Sequence, residues 1–404
     1  MRFLFARPSN KNNPIEFDEG ANRARIQGGR NRIPTLDGWR AIAILTVLVS
    51  HAQFGMNGTW FGGHSWIVLW GRHGVDLFFV LSGYLITDRL LCEERINLRS
   101  FYTRRFFRLM PAAWTYLAVI IAVTAICKVH VSRVGLLGCL LFFSNYLGDQ
   151  ANISLLRHFW SLSIEEQFYL VWPLLLLLLG RKRGLILACF AFAALSIYDL
   201  LNRQVYLAYL DTSMRTEFNA HGILAGCILA LTLKKLKTWV ARHAGLLLVI
   251  SVAGVVWNIQ HYFSPTPLES IFFAVMIAST SMSPSRCFSR ALQWSPLAYV
   301  GTISYSLYIW QEMLLMPHLK WLGAIMVFPI AVLSYAFIEQ PSQKFGKRFV
   351  GTSATALART KPMGSPESPE KTVEICKTWA EIVPALQPIT PANPSIPSRI
   401  SVPN

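Results

Sequence analysis

A chain of 404 residues that is 53% hydrophobic, only 15% charged and has a mean hydropathy of +0.39 is not a soluble globular protein, in which about a quarter of residues would be charged. Its net charge of +17 sits in basic clusters between long apolar runs. That distribution excludes a separate nucleic-acid-binding domain and points to Lys and Arg side chains that orient a polytopic membrane protein.

Residues 1–33 are polar and arginine-rich with no apolar core. They read as a cytoplasmic lead-in rather than a signal peptide. The first predicted span, 35–55, contains LDGWRAIAILTVLVSHAQF. At ~100° per residue the eleven steps from Arg40 return His51 to within ~20° of the same face, about 16 Å further along the helix. One stripe therefore carries a fixed cation near one end and a titratable imidazole near the other, with Asp37 close to it one turn earlier. Ionisable groups inside a membrane helix are costly to bury and are candidate functional groups. The bland alternative makes Asp37 and Arg40 helix-end anchors and puts His51 in the headgroup zone.

The second span, 70–91, opens on GVDLFFVLSGYLIT. Asp76 is expected at a depth similar to His51 on an antiparallel neighbour, where a carboxylate would fix the imidazole tautomer; alternatively it caps the helix. Ser82 and Gly83 suit close helix packing. FYTRRFFRLMP (101–111) then places Arg105 and Arg108 three apart, as neighbours on a helix face. Two guanidiniums flanked by Phe and Tyr suit a phosphate-bearing ligand with a stacked base, although taken locally ordinary positive-inside arginines are the stronger reading. A span at 111–130 follows. GLLGCLLFFSNYL (135–147) is too short to cross and reads as re-entrant or tucked.

HFWSLSIEEQFYLVWP leads into a span at 158–180 and brings Glu165, Tyr169 and Trp172 onto one face. A carboxylate among aromatics at the outer surface is a sugar-gripping arrangement; against it, Ser163-x-x-Glu166 makes a capping box. Further spans are expected at 184–201, 217–233, 244–262, 268–283, 297–316 and 320–339. Glu217 and His221 form an i,i+4 pair that either lines an acceptor pocket or sits at the interface. Gln311 and Glu312 interrupt the apolar run after ISYSLYIW, and Glu339 precedes Pro341 at a helix end. The seven cysteines (Cys92, Cys127, Cys139, Cys189, Cys227, Cys287, Cys376) form no CxxC pair and read as small buried hydrophobes, without a disulfide framework or metal site.

The expected fold is thus all-α, with ten transmembrane helices and both termini cytoplasmic. The organisation is a lead-in (1–33), a membrane domain (34–349) and a Pro/Ser/Thr-rich tail (350–404) expected to be disordered. Basic clusters at Arg95 to Arg108, Arg181 to Arg183, Lys234 to Arg242, Arg286 with Arg290, and Lys344 to Arg348 then all fall on the cytoplasmic side.

Taken in order, LDGWRAIAILTVLVSH, GVDLFFVLSGYLIT, FYTRRFFRLMP, FWSLSIEEQFYLVWP, YSLYIWQ and FIEQP resemble the acyltransferase-3 family of integral membrane acyltransferases, over roughly residues 33–345. The family's arginine-to-histidine signature is met by Arg40 and His51, and its paired-arginine motif by Arg105 and Arg108. Gln311 stands where many relatives carry histidine. The resemblance implies transfer of an acyl group, usually acetyl, from cytoplasmic acyl-CoA to a hydroxyl of an extracytoplasmic glycan or lipid-linked glycan, in a bacterial inner membrane.

It further implies that Arg105 and Arg108 bind the CoA phosphates, and that His51 is general base or transient acyl carrier. Arg40 would steer the donor or stabilise charge at the thioester carbonyl, Asp76 orient His51, and Glu165 hold the sugar. No metal is expected, and self-association into a homo-oligomer is compatible with it. No hydrolase-like domain is read in the tail, so transfer is expected to be completed by the membrane domain or by another protein. The rival reading is a glycan transporter or flippase, against which stands the lack of an internal repeat or matched broken helices.

Overall fold

The computed structural model describes residues 34–55, 66–93, 96–128, 131–148, 154–208, 212–261, 265–283, 286–316 and 319–360. The basic lead-in, the tail beyond Thr360 and Cys376 lie outside them. The chain divides into one compact unit over residues 1–348 and a second over 349–404. All that follows concerns the first, apart from the last turns of the final helix.

Among the described residues there is no strand. The helices are α1 (Pro34–Gly55), α2 (Trp66–Cys92), α3 (Leu98–Ile126), α4 (Arg133–Leu140), α5 (Phe159–Ala208), α6 (Thr216–His261), α7 (Pro267–Met282), α8 (Cys287–Leu292), α9 (Ser295–Thr302), α10 (Ser304–Leu314), α11 (Lys320–Ser334) and α12 (Gln340–Thr360). Among the described residues, four stretches are long and apolar enough to cross a membrane: Leu98–Ile126, Ser154–Arg203, Thr216–His261 and Trp321–Val350. The helices α1 and α2, predicted as spans, are fully helical but are not among these four. Several of their charged and polar groups, among them Asp37, His73 and Asp76, are buried within the bundle.

Several predicted boundaries hold and others move. The long α5 is two helices meeting at Gly180, whose φ of 69° and ψ of 177° are non-helical; only glycine adopts this backbone cheaply. The break falls where the predicted span 158–180 ends. No comparable break separates the predicted spans 217–233 and 244–262: α6 continues for 46 residues through Lys234, Lys235 and Lys237. Those lysines are exposed along one helix instead of forming a turn. The predicted span 297–316 is split at Ile303 into α9 and α10, and the last span passes through a π turn at Tyr335–Glu339 into α12. That helix runs on past position 350, where disorder was expected to begin. The 135–147 segment folds into the eight-residue α4 and a 3₁₀ turn at Ser144–Tyr146, far short of a crossing.

Packing around α2 organises the centre. It lies against α1 on one side and α6 on the other, and α6 in turn packs on α7 and α5. Contact between α2 and α6 depends on small residues: a methyl group at Gly83 would run into Ile223 O, and one at Gly226 into Val80 O. Backbones that meet this closely gain dispersion contacts, which must stand in for hydrophobic driving force within lipid. Buried polar groups tie the layers together. Trp39 Nε1 donates to Thr280 Oγ1 (2.9 Å), and Trp172 Nε1 to Thr87 Oγ1 (2.8 Å).

The cysteines are not uniformly buried. Cys139 and Cys227 are, whereas Cys92, Cys127, Cys189 and Cys287 are exposed on the outside of the bundle; all six are free thiols. An exposed thiol on a lipid-facing surface incurs little desolvation cost, so apolar sequence context did not fix burial.

Candidate functional site

The α3 helix begins at Asn97, whose side chain accepts from Ser100 N (2.9 Å). Two turns in, Arg105 and Arg108 turn inward while Arg104 turns aside to Glu93 (3.5 Å). Arg40 of α1, Arg105 and Arg108 of α3, Glu165 and Tyr169 of α5 and Tyr308 of α10 share the lining of one cavity with about 590 Å³ of empty space, its open mouth included. The Arg105 guanidinium lies 3.8 Å over the Tyr169 ring, a cation–π contact. Arg105 Nε is buried with no hydrogen-bond partner. Three cations around one hollow, one with an unmet buried donor, fit an anionic group such as a phosphate.

Glu165 lines this cavity with the arginines, where the sequence suggested a carboxylate that would hold the sugar at the outer surface. Its Oε1 accepts from Ser82 Oγ (2.8 Å) and its Oε2 from Tyr169 OH (3.0 Å). Both carboxylate oxygens are therefore engaged by protein, and its charge offsets part of the guanidinium field. Helical spacing puts Glu165 and Tyr169 on one face, as the 3.0 Å bond between them shows, but it does not determine which neighbours that face meets. Ser163, the alternative capping residue, lies inside α5 and bonds Phe159 O (2.9 Å) and Ser144 Oγ (3.0 Å), so it caps nothing.

At the other end of α1, His51 Nδ1 lies 2.9 Å from Val47 O and Nε2 lies 3.2 Å from Glu312 Oε2 of α10. The carbonyl accepts, so Nδ1 carries a hydrogen and Nε2 faces the carboxylate. Glu312 Oε2 has no hydrogen-bond partner; the carboxylate stands where it would meet an imidazolium once Nε2 gains a proton. About a third of the His51 side chain is exposed, against 11% for Glu312, leaving the imidazole open to an incoming group.

Between His51 and the cavity stands a polar step. Ser161 Oγ and Tyr308 OH, on the cavity wall, are 2.5 Å apart, and Tyr308 OH also donates to His158 O (3.2 Å). The His158 ring is buried edge-on to Tyr116 (5.2 Å) and Tyr308 (5.7 Å), and neither of its nitrogens has a partner. It lies within electrostatic reach of Glu312 and His51. Beside Glu312, Gln311 is fully buried with both amide atoms unpartnered.

Asp76 does not orient His51; Glu312 occupies that place. Asp76 Oδ2 accepts from Ser270 Oγ of α7 (2.8 Å), and Oδ1 lies 3.9 Å from His221 Nδ1 of α6. Matching depth on neighbouring helices was a sound inference, but rotation turns Asp76 toward α6 and α7. The i,i+4 pair of Glu217 and His221 also separates: Glu217 accepts from Tyr146 OH (3.1 Å), and His221 meets Ser270 (2.9 Å). Glu339, read as a helix end, is buried and accepts from Ser306. Sequence reasoning noticed Glu312 only as a polar interruption and passed over His158. A carboxylate inside an apolar span is itself a sufficient signal for the first; an isolated histidine at a helix start carries none for the second.

No solved structure matches the chain. It is 29% identical to the O-acetyltransferase OatA of Staphylococcus aureus (strain MRSA252) over 383 residues, covering 81% of this chain and 60% of that protein. It is 30% identical to the peptidoglycan O-acetyltransferase OatA of Listeria monocytogenes serovar 1/2a (strain ATCC BAA-679 / EGD-e) over 367 residues, covering 78% and 57%. The chain thus spans less than two thirds of the length of these relatives. The acyltransferase-domain profile of the acyltransferase-3 family matches residues 33–338, most of the chain. This protein belongs to the acyltransferase-3 family.

Proposed function

We propose that the protein is an integral membrane O-acyltransferase that moves an acyl group, acetyl foremost, from cytoplasmic acyl-CoA to a hydroxyl of an extracytoplasmic glycan. The observation that carries this reading is the division of α1. Its Arg40 end enters a three-arginine cavity, and its His51 end meets Glu312. The cavity suits the anionic donor and the half-open imidazole suits an alcohol.

In this reading Arg105 and Arg108 hold phosphate oxygens and Arg40 steers the donor, whose extended arm carries the acyl thioester along α1 to His51. His51 Nε2 takes the hydroxyl proton as the alcohol oxygen bonds to the carbonyl carbon. The C–S bond then breaks and the sulfur leaves as thiolate, to be reprotonated. The hydrogen bond from Nδ1 to Val47 O keeps Nε2 as the basic nitrogen, and Glu312 balances the imidazolium that forms.

Peptidoglycan, named for the Listeria relative, is the first acceptor to try. We further place the protein in the bacterial cytoplasmic membrane, a location supported by the family match and by the four long apolar helices among the described residues. Proteoliposomes loaded with radiolabelled acetyl-CoA and presented with peptidoglycan fragments outside test the activity. Label covalently retained on the glycan is expected. Glycan that crosses the bilayer unlabelled would support the flippase instead.

A further inference from the structure

Away from the cavity, the first turns of α6 and α7 meet α2 around a second set of ionisable groups that the acyl-transfer reading does not use. His73 and Asp76 come from α2, His221 from α6, and Glu269 with Ser270 from α7. All five are buried, at 3% exposure or less. His73 Nδ1 lies 2.7 Å from Glu269 Oε1 and 2.8 Å from Oε2, while its Nε2 is buried with no partner. Ser270 Oγ donates to Asp76 Oδ2 (2.8 Å). A serine hydroxyl has one hydrogen, so at the 2.9 Å contact with His221 it is His221 Nδ1 that donates and Ser270 that accepts. The result is a directed chain, His221 N–H to Ser270 O–H to Asp76 carboxylate. Because Glu269 and Ser270 are consecutive, the His73–Glu269 pair adjoins it at the same turn.

The surrounding charges are committed elsewhere. Arg72 bonds Ser213 Oγ and O (2.9 Å each), and Arg203 bonds Asp199 (2.7 Å). Among the described residues no three of the potential ligand groups are arranged to hold a metal ion. With both carboxylates ionised and both imidazoles neutral the cluster would carry two negative charges in a low-dielectric setting. Two added protons neutralise it. Buried ionic clusters are poor sources of stability, and within a membrane bundle such groups mark proton or ion paths.

We infer that His221, Ser270 and Asp76, with the adjoining Glu269–His73 pair, form a proton-binding relay buried at the α2/α6/α7 junction, separate from the acyl-transfer cavity. The step balances. The Ser270 O–H bond breaks as the Asp76 O–H forms, His221 Nδ1–H replaces the serine proton, and His221 Nε2 takes up a proton from the end of the bundle where α6 and α7 begin. Gly222 permits the arrangement, because a methyl group there would run into Asp76 Oδ1.

Infrared difference spectra of the full chain in lipid, recorded between acidic and alkaline buffer, test this without reference to acyl transfer. Titrating, D₂O-sensitive carbonyl bands of protonated carboxyls are expected. One should vanish in Asp76→Asn and one in Glu269→Gln, which keeps a hydrogen-bonding partner for His73. Ser270→Ala should retain both bands and slow the hydrogen–deuterium exchange of the Asp76 band alone roughly 10²-fold. Wild-type spectra with no titrating carboxyl band would overturn the proposal. So would bands left intact in both carboxyl variants, since the cluster would then be a fixed structural bond network.

Discussion

Glu312 Oε2 lies 3.2 Å from His51 Nε2, pairing a carboxylate and an imidazole that are 261 residues apart in the chain and belong to α10 and α1. The imidazole is anchored from behind by Val47 O at 2.9 Å. Glu312 is thereby a positioning and charge-balancing partner of the proposed base. Glu312→Gln should lower kcat roughly 10²-fold or more, the usual worth of positioned acid–base catalysis, with little change in KM for the donor. Steady-state kinetics in proteoliposomes would show the split; equal losses in binding and turnover would point to misfolding.

Arg105 stacks on Tyr169 and leaves Nε unpartnered in the cavity wall. Arg105→Ala should raise the donor KM by about 10- to 100-fold, as expected for loss of a charged hydrogen-bonding pair of about 1.5–3 kcal/mol. Arg105→Lys should recover little, because an ammonium neither stacks nor forks like a guanidinium. Donor titrations by calorimetry read both.

Glu165 sits with the arginines, its oxygens held by Ser82 and Tyr169. Glu165→Gln should therefore alter donor parameters and leave the acceptor KM within about twofold, since a residue remote from the acceptor contributes no uniform binding to it. A large rise in acceptor KM, with donor binding intact, would return Glu165 to a sugar-holding role.

A methyl at Gly83 would meet backbone, Ile223 O, which cannot rotate away. Gly83→Ala should destabilise the bundle by about 1–3 kcal/mol, the range for overpacking. The readout is a fall in the unfolding temperature of the detergent-solubilised protein. An unchanged midpoint would mean that α2 and α6 do not meet there.

Much of the site could be read from the chain because helical spacing is local. Arg105 with Arg108, and Glu165 with Tyr169, are separated by three and four residues, so a regular helix alone puts them together. Arg40 and His51 likewise needed only that α1 be continuous. What failed depended on rotation between helices. Depth along α2 placed Asp76 level with His51, but which neighbour Asp76 faces is set by the glycine-mediated contact of α2 with α6, and no local pattern records it. Glu312 was visible as a buried charge without a partner because its partner lies on the first helix. The lysines at 234–237 were read as a loop since charge between apolar runs usually marks one, yet nothing in them breaks a helix, and α6 continues through.

The central claim is that α1 divides the labour, donor at Arg40 and acceptor at His51. Its most direct test is His51→Ala in proteoliposomes, with acetyl transfer to glycan and acyl-CoA affinity measured on the same preparation. The account predicts that transfer falls to background while the donor Kd stays within about twofold of wild type. Near-normal transfer in that variant, or loss of donor binding along with it, would contradict the account.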